Sequence, residues 1–314
     1  MYGPRLPWPA DWSQIFGRPA PLLLEIGFGG GQFLLDLAQR HPGANVLGVE
    51  IAAPSLRKAG RRIGRAAVAN VRLLHADAQL ALWGLCAPGT ISGLYVNFPD
   101  PWPKSGHHQR RLINLRFLDL VATRLRPNSP LAIATDDADY AQIIADCLGQ
   151  SPYFASQVAA VYLTEDTDRL RTKYEQLALA AGRTCYYFKW RRNDFPPPND
   201  FPVPQELPMP YVLLETPLTL AEIIERFRPQ QFTLGEIHVK FLNVYQSQHQ
   251  TELLIETYVT GEAMNQRLGF SIRRRVGGQM ALQLHEIGFP RPTAGVHRAA
   301  DHLAEWLLTL SNEQ

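Results

Sequence analysis

The stretch LLLEIGFGGGQF, Leu22 to Phe33, places an acid and four glycines at the end of an apolar run. A strand that ends in glycines and opens into a helix is an anion or nucleotide site, because glycine lets a ligand approach the backbone and a helix N-terminus favours negative charge. The dinucleotide fingerprint is G-x-G-x-x-G. Here Gly27, Gly29, Gly30 and Gly31 give G-x-G-G-G, and the third fingerprint position falls on Gln32. Glu25 also stands two residues before the first glycine, where it would repel a pyrophosphate.

S-adenosylmethionine carries an ammonium and a sulfonium, which an acid-flanked glycine turn suits. Glu50 closes the next apolar run (VLGVE), the place from which a carboxylate reaches ribose hydroxyls. Asp77 in LLHADA ends the third run and is placed to accept from an adenine amino group. Together these acids favour S-adenosylmethionine over a nicotinamide dinucleotide.

Outward from this turn, apolar runs of strand length alternate with helical patterns through the first 190 or so residues, which reads as repeated βα units and a mostly parallel sheet. Strands are expected at Leu22 to Ile26, Val46 to Val49, Val71 to His75, Ile91 to Asn97 and Leu131 to Thr135. Two more, Val158 to Leu163 and Thr184 to Trp190, flank a helical stretch from Asp168 to Ala181 and bring the sheet to seven strands, the last pair antiparallel. Then DFPPPNDFPVPQELPMP, Asp194 to Pro210, carries seven prolines and reads as a semi-rigid linker.

Beyond it come a helix around Leu218 to Phe227, four strand-like runs near Glu236 to Tyr245, Glu252 to Thr260, Gly269 to Arg275 and Met280 to His285, and a helix from Val296 to Leu310. Strands in succession imply an antiparallel sheet with helices on one face. The expected fold is α/β: a doubly wound, seven-stranded Rossmann-like sheet in residues 1–194, a linker over 195–212, and a smaller α+β domain over 213–314 that carries no motif assigning its role.

At 314 residues and 35.3 kDa the chain has room for two domains. No apolar run approaches the roughly 18 residues that a membrane span requires, and the opening MYGPRLPWPADW lacks the basic start and apolar core of an export signal, so a cytoplasmic protein with no membrane partner is expected. Cys86, Cys147 and Cys185 are far apart and form neither a disulfide framework nor a zinc site. Net charge is +2, but six Arg/Lys and no acid lie between Ile51 and His75. Six more, with His107 and His108, face only Asp119 between Lys104 and Arg126. Such clusters suit a phosphate-binding face or a solvated helix surface.

At the end of the fourth strand the chain reads YVNFPDPWPKSGHHQRRLIN, Tyr95 to Asn114. Open α/β sheets bind substrates at such carboxyl strand ends. Pro99, Pro101 and Pro103 stiffen the loop and present Asp100 and Trp102, a carboxylate that can bind a purine edge and an aromatic that can stack. At this point the sequence resembles the bacterial tRNA (guanine-N7)-methyltransferases. Their marks run in order: LEIGFGGG at 24–31, GVE at 48–50, HADA at 75–78, FPDPWPK at 98–104, HHQRRL at 107–112, ATD at 134–136 and TKYE at 172–175. Coverage is about Pro21 to Arg192, and PDPWPK followed by ATD and TKYE is the specific part. The family usually continues PDPWPK with more Lys or Arg, whereas Ser105 and Gly106 intervene here.

The resemblance implies a methyl transfer from S-adenosylmethionine to N7 of a guanine in tRNA, in the variable loop. Cofactor contacts would come from Glu25, Gly27, Gly29, Glu50, Asp77 and Asp100. Substrate contacts would come from Lys104, Asp136, Thr172, Lys173, Tyr174 and Glu175, with Asp100 catalytic. Guanine N7 has an in-plane lone pair, so no base need remove a proton, and positioning can supply most of the acceleration. His107 and His108 have no ligand partner at metal spacing, and no metal is expected. Two readings compete: a methyltransferase for another RNA, protein or small-molecule nucleophile, and a non-catalytic RNA-binding protein. The intact set of Glu25, Gly27, Gly29, Glu50 and Asp77 speaks against the second. The Arg273, Arg274, Arg275 run suggests that the second domain assists tRNA binding, with a structural role as the alternative.

Overall fold

A computed structural model of the chain describes all residues except 105, 107–109, 262, 313 and 314, and of Asn312 the backbone alone. Ser105, His107 and His108 of the expected basic loop therefore lie outside the described residues. The chain divides into two compact units, Met1–Val203 and Pro204–Gln314.

After a 3-10 turn at Gly3–Arg5, the first unit proceeds through a short helix α1 (Trp12–Phe16), β1 (Leu22–Ile26), α2 (Gln32–Arg40), β2 (Asn45–Glu50), α3 (Ala53–Ala66) and β3 (Val71–His75). After a π-helical segment, Leu80–Gly84, come β4 (Ile91–Asn97), α4 (Leu115–Arg124), β5 (Pro130–Thr135), α5 (Ala138–Gln150), β6 (Phe154–Ser156), α6 (Lys173–Ala180) and β7 (Tyr186–Arg192). The seven strands lie in the order β3-β2-β1-β4-β5-β7-β6. The first five are parallel, and β7 runs antiparallel to both β5 and β6. Strand β1 is buried along its whole length, as a parallel sheet covered on both faces requires. Its neighbours are β2 and β4, so strand order reverses beside it and the crevice at the carboxyl ends of β1 and β4 is the natural ligand site.

Side chains write the helix starts. Asn114 and Asp137 accept from the backbone N–H of Phe117 and Tyr140 at 2.9 and 2.7 Å. Thr172 and Glu175 form a reciprocal capping box at the start of α6. That box corrects the helix expected from Asp168: α6 begins at Lys173, and residues 166–171 are irregular. The sixth strand also differs, being Phe154–Ser156 rather than Val158 to Leu163. The Ser156 hydroxyl accepts from Val158 N at 3.2 Å and lies within bonding distance of the carbonyls of Val158 and Ala160, turning the chain away from the sheet. Leu163 returns to bridge Tyr187.

In the second unit, β8 (Tyr211–Leu214) and α7 (Leu220–Arg226) precede β9 (Gln230–Leu234), β10 (Ile237–Gln246), β11 (Glu252–Thr260), β12 (Gln266–Arg274) and β13 (Met280–Leu284), and α8 (Ala294–Asn312) closes the chain. The sheet order is β8-β13-β12-β11-β10-β9, antiparallel throughout. Six strands replace the expected four. Strand β9 is joined to β10 by a two-residue turn at Gly235 (φ +59°), and β8 starts directly after Pro210, inside the expected linker over 195–212, where an exposed edge strand tolerates nearby proline. Alternate residues such as Val239, Phe241, Ile255, Phe270 and Leu282 meet Val296, Leu303 and Leu307 of α8 in one core.

Candidate active site

The glycine turn is held open by conformations that side chains resist: Gly27, Gly29 and Gly31 have φ of +72°, +50° and +70°. At Gly31 a Cβ would also fall 2.7 Å from that of Ala59 on α3. Glu50, at the end of β2, fixes the turn from below. One oxygen accepts from Gly29 N at 3.0 Å, and the other accepts from Ile51 N and Ala52 N at 2.9 Å each.

A cleft opens over this turn. Its lining joins Glu25, Gly27 to Gly30 and Phe33 with Ser55 and Lys58 of α3, Asn97 at the end of β4, and Thr172, Lys173 and Tyr174. The turn and the TKYE segment, distant in sequence, are thus two walls of one site. Tyr174 is 62% exposed, and a Cβ on Gly29 would lie 3.6 Å from its ring, so the ring overhangs the turn.

Glu25 is 1% exposed and accepts from the Asn97 amide at 3.0 Å, while its second oxygen is buried without a partner among the described residues. Burial pushes its pKa up to about 8; the Asn97 bond and the nearby charge of Arg169 act in the opposite sense. Asn97 in turn accepts from Arg169 Nη2 at 2.8 Å. Neither Asn97 nor Arg169 figured among the expected site residues. The available signal was position: Asn97 is a polar residue at the carboxyl end of a buried strand beside the strand-order reversal, and Arg169 stands three residues before Thr172.

The other expected residues are placed as follows. Asp77 follows β3 and accepts from Leu80 N at 2.7 Å; burial raises its pKa, against its backbone bonds. It does not line the cleft, nor do Asp100, Lys104, Asp136 and Glu175. Asp100 and Lys104 are exposed on the loop after β4. Phe98 and Trp102 flank Asp100 with φ of +52° and +43°, a left-handed backbone costing of order 1–3 kcal/mol at each residue. Arg111, 6% exposed, braces this loop: its Nε donates to Pro101 O at 2.7 Å, and its guanidinium carbon sits 5.4 Å from the Tyr140 ring centre. Arg110 stacks over Trp102 at 5.0 Å.

Asp136 is held by Arg183 at 2.5 Å. Glu175, expected as a substrate contact, is fully buried and turned inward. It accepts from Thr172 N at 3.2 Å and from the Tyr187 hydroxyl at 2.9 Å, with Arg169 at 3.7 Å. Among the described residues no group of three or more His, Cys, Asp or Glu is arranged to hold a metal ion, and no helix is long and apolar enough to cross a membrane.

Residues 19–188 match a family described as putative methyltransferase. The tRNA (guanine-N(7)-)-methyltransferase of Thermus thermophilus is 39% identical over 194 residues, 61% of this chain and 61% of that protein. That of Bordetella parapertussis is 39% identical over 189 residues, 60% of this chain and 74% of its own length. For the Thermotoga maritima protein of the same name the figures are 36% over 185 residues, 59% and 58%. The chain thus spans about three fifths of the Thermus and Thermotoga relatives and about three quarters of the Bordetella one.

Proposed function

The chain belongs to the tRNA (guanine-N(7)-)-methyltransferase family, and we propose that it transfers a methyl group from S-adenosylmethionine to N7 of a guanine in the variable loop of tRNA, in the cytoplasm. The observation that carries this reading is the single cleft in which the acid-flanked glycine turn faces Thr172 to Tyr174.

The residues present fit the cofactor. The orphaned Oε2 of Glu25 is a buried acceptor awaiting a cationic donor, which the ammonium of S-adenosylmethionine supplies. Glu50 already accepts three backbone N–H groups, which of the roughly four acceptor sites of a carboxylate leaves one for a ribose hydroxyl. Asp77, held by the backbone N–H groups of Leu80 and Gln79, keeps acceptor capacity for an adenine amino group. When bound, S-adenosylmethionine supplies a methyl group on a cationic sulfur, ready for in-line displacement.

The chain then has little chemistry left to perform. The N7 lone pair of guanine attacks without losing a proton, so no general base is required. Asp100 orients the amino and imino edge of the base from a loop that Arg111 and Arg110 hold stiff. Its charge also favours the cation that develops on the ring as N7 is alkylated, an electrostatic effect strongest when the group is fixed before reaction. Lys104, on the same loop, faces the phosphates. Tyr174 and Lys173 close the cleft from the opposite side. Asp136 joins the substrate only by exchanging its partner Arg183. Glu175 acts indirectly, by fixing the start of α6.

Methyl-labelled S-adenosylmethionine incubated with the protein and unmodified tRNA, followed by mapping of the labelled nucleoside, tests the reading. Label on N7 of a variable-loop guanine is expected. No transfer, or label on another atom, sinks it.

A further inference from the structure

Two groups beside the cleft each bury a polar atom with no partner among the described residues: Glu25 at Oε2 and Arg169 at Nε. Asn97 stands between them, donating to Glu25 Oε1 at 3.0 Å and accepting from Arg169 Nη2 at 2.8 Å. The same Nη2 lies 3.7 Å from Glu175 Oε2. Two rings sandwich the guanidinium, whose carbon is 5.0 Å from the centre of Phe33 and 5.3 Å from that of Tyr187. One side chain therefore touches α2, β4, α6 and β7.

The backbone that carries Arg169 is irregular and is pinned just before it, at Asp166 and Asp168. Lys189 Nζ reaches Asp166 at 2.7 Å, and Arg40 Nη1 of α2 donates to Asp168 O at 2.6 Å. Asp166 also accepts from Asp168 N at 3.2 Å, a local turn that the tertiary contacts reinforce.

We propose that Arg169 is a positioning residue that links the cofactor end of the cleft to its substrate end, so that capture of a cationic ammonium by Glu25 and ordering of Thr172 to Glu175 favour each other. The inference rests on the methyltransferase reading above. Burial holds the Glu25 carboxyl mostly neutral near pH 7, and a bound cation ionises it. An ionised carboxylate pulls harder on the Asn97 amide and on the guanidinium charge, because charge-assisted bonds are shorter and stronger. Arg169 drawn toward Asn97 carries Glu175 with it, and Glu175 caps α6 through Thr172. Thermodynamic linkage makes the effect reciprocal: whatever locks the Thr172–Glu175 segment eases ionisation of Glu25. A lysine would keep the charge but lose the guanidinium plane, stacked between Phe33 and Tyr187, that holds Nη2 against both acceptors.

Hydrogen–deuterium exchange on the full chain, with and without S-adenosylmethionine, tests the link. In the wild type the cofactor should slow exchange across Lys173–Ala180 by about tenfold, within the usual range of coupling between sites. Arg169→Lys should bind S-adenosylmethionine within about threefold of wild type while losing that slowing, and Arg169→Met should weaken cofactor binding about tenfold as well. Tyr187→Phe, which removes one Glu175 bond but keeps the ring against Arg169, should retain the slowing. A wild type that binds cofactor without protecting α6, or an Arg169→Lys protein protected like the wild type, overturns the link. If Arg169→Met does not fold, the lysine variant alone decides. Protection without methylation of tRNA overturns the function and leaves the link standing, whereas a wild type that binds no S-adenosylmethionine overturns both.

Discussion

Asn97 donates its side-chain amide to Glu25 Oε1 at 3.0 Å, while Oε2 of the same carboxylate, on a residue that lines the cleft, is buried and without a partner among the described residues. A buried carboxyl satisfied on one oxygen alone has little reason to carry charge until a cation arrives. Its environment thus makes Glu25 a detector of positive charge rather than a permanent anion.

That state has a pH signature. The folded pKa of Glu25 is raised to about 8 from an ordinary 4.5, so between those values the folded chain binds a proton that the unfolded chain does not. The stabilisation is fully present below about pH 4.5 and is lost as pH rises through about 8. Glu25→Gln removes the titration, and its melting temperature relative to wild type should climb steadily from pH 5 to pH 8. Binding of a cationic cofactor at pH 7 should release roughly one proton from the wild type and none from the variant, seen as a dependence of the calorimetric enthalpy on buffer. A wild type with no buffer dependence rules out the neutral carboxyl.

Glu50 has two tasks, and its removal should show both. Without its carboxylate, Gly29, Ile51 and Ala52 lose their acceptor and the glycine turn loses its shape. Each charged acceptor is worth about 1.5–3 kcal/mol, so Glu50→Ala should weaken S-adenosylmethionine binding roughly ten- to hundredfold and lower the melting temperature of the free protein. Affinity for tRNA should barely move. Calorimetry that finds cofactor affinity unchanged removes Glu50 from the site.

The loop after β4 makes a prediction about chemistry rather than binding. Asp100→Asn keeps the shape and removes the charge, so single-turnover methyl transfer should slow far more than tRNA affinity falls. Arg111→Met should copy this in part, because the strained backbone at Phe98 and Trp102 relaxes once the bond to Pro101 O is gone. A displacement of about 1 Å is worth up to about a hundredfold in rate. If Arg111 acts through Asp100, the double variant is no slower than Asp100→Asn alone by more than a small factor. Additive losses would refute the brace.

Strand β1, the glycine turn and the acids at the ends of β1 and β2 were legible because each is a local pattern: an apolar run, a turn residue, a carboxylate at fixed spacing. The same holds for β3 and β4, whose ends fall where the apolar runs end. Asn97 and Arg169 were not legible, since their roles exist only where four elements converge. The segment TKYE satisfies a substrate motif and a capping box with the same letters, and only packing against Tyr187 turns Glu175 inward. Asp136 reads as an open carboxylate until Arg183 is folded against it. Strand β8 was hidden by proline and β9 by a polar, two-residue hairpin. The Arg273–Arg275 run divides by function too: Arg274 donates to Thr216 O and Gly278 O and is tied into its own unit, which leaves Arg273 and Arg275 as the pair to test for phosphate contact.

The proline-rich stretch is the place where sequence and packing differ most, and it sets the last prediction. Read as a linker from residue 195, it nonetheless sends Phe201 into the first unit, 5% exposed, with its ring 5.1 Å from Trp83. Phe201 O accepts from Nη2 of the fully buried Arg124 at 2.8 Å, and Pro202 O accepts from Trp83 Nε1 at 2.7 Å. Arg124 also donates to Leu82 O, Trp83 O and Thr123 Oγ1, so carbonyls and a hydroxyl rather than a carboxylate receive its guanidinium. Burial accordingly lowers its pKa to about 10. A chain ended at Asp194 keeps every motif residue but leaves this cation short of an acceptor, at about 1–3 kcal/mol, and exposes the Phe201 pocket, at about 1.5–3 kcal/mol. A chain ended at Val203 keeps all of these contacts. The shorter form should therefore melt roughly 5–20 °C below the longer one, while the longer form still methylates tRNA. Equal melting temperatures for the two would show that residues 195–203 are a linker after all.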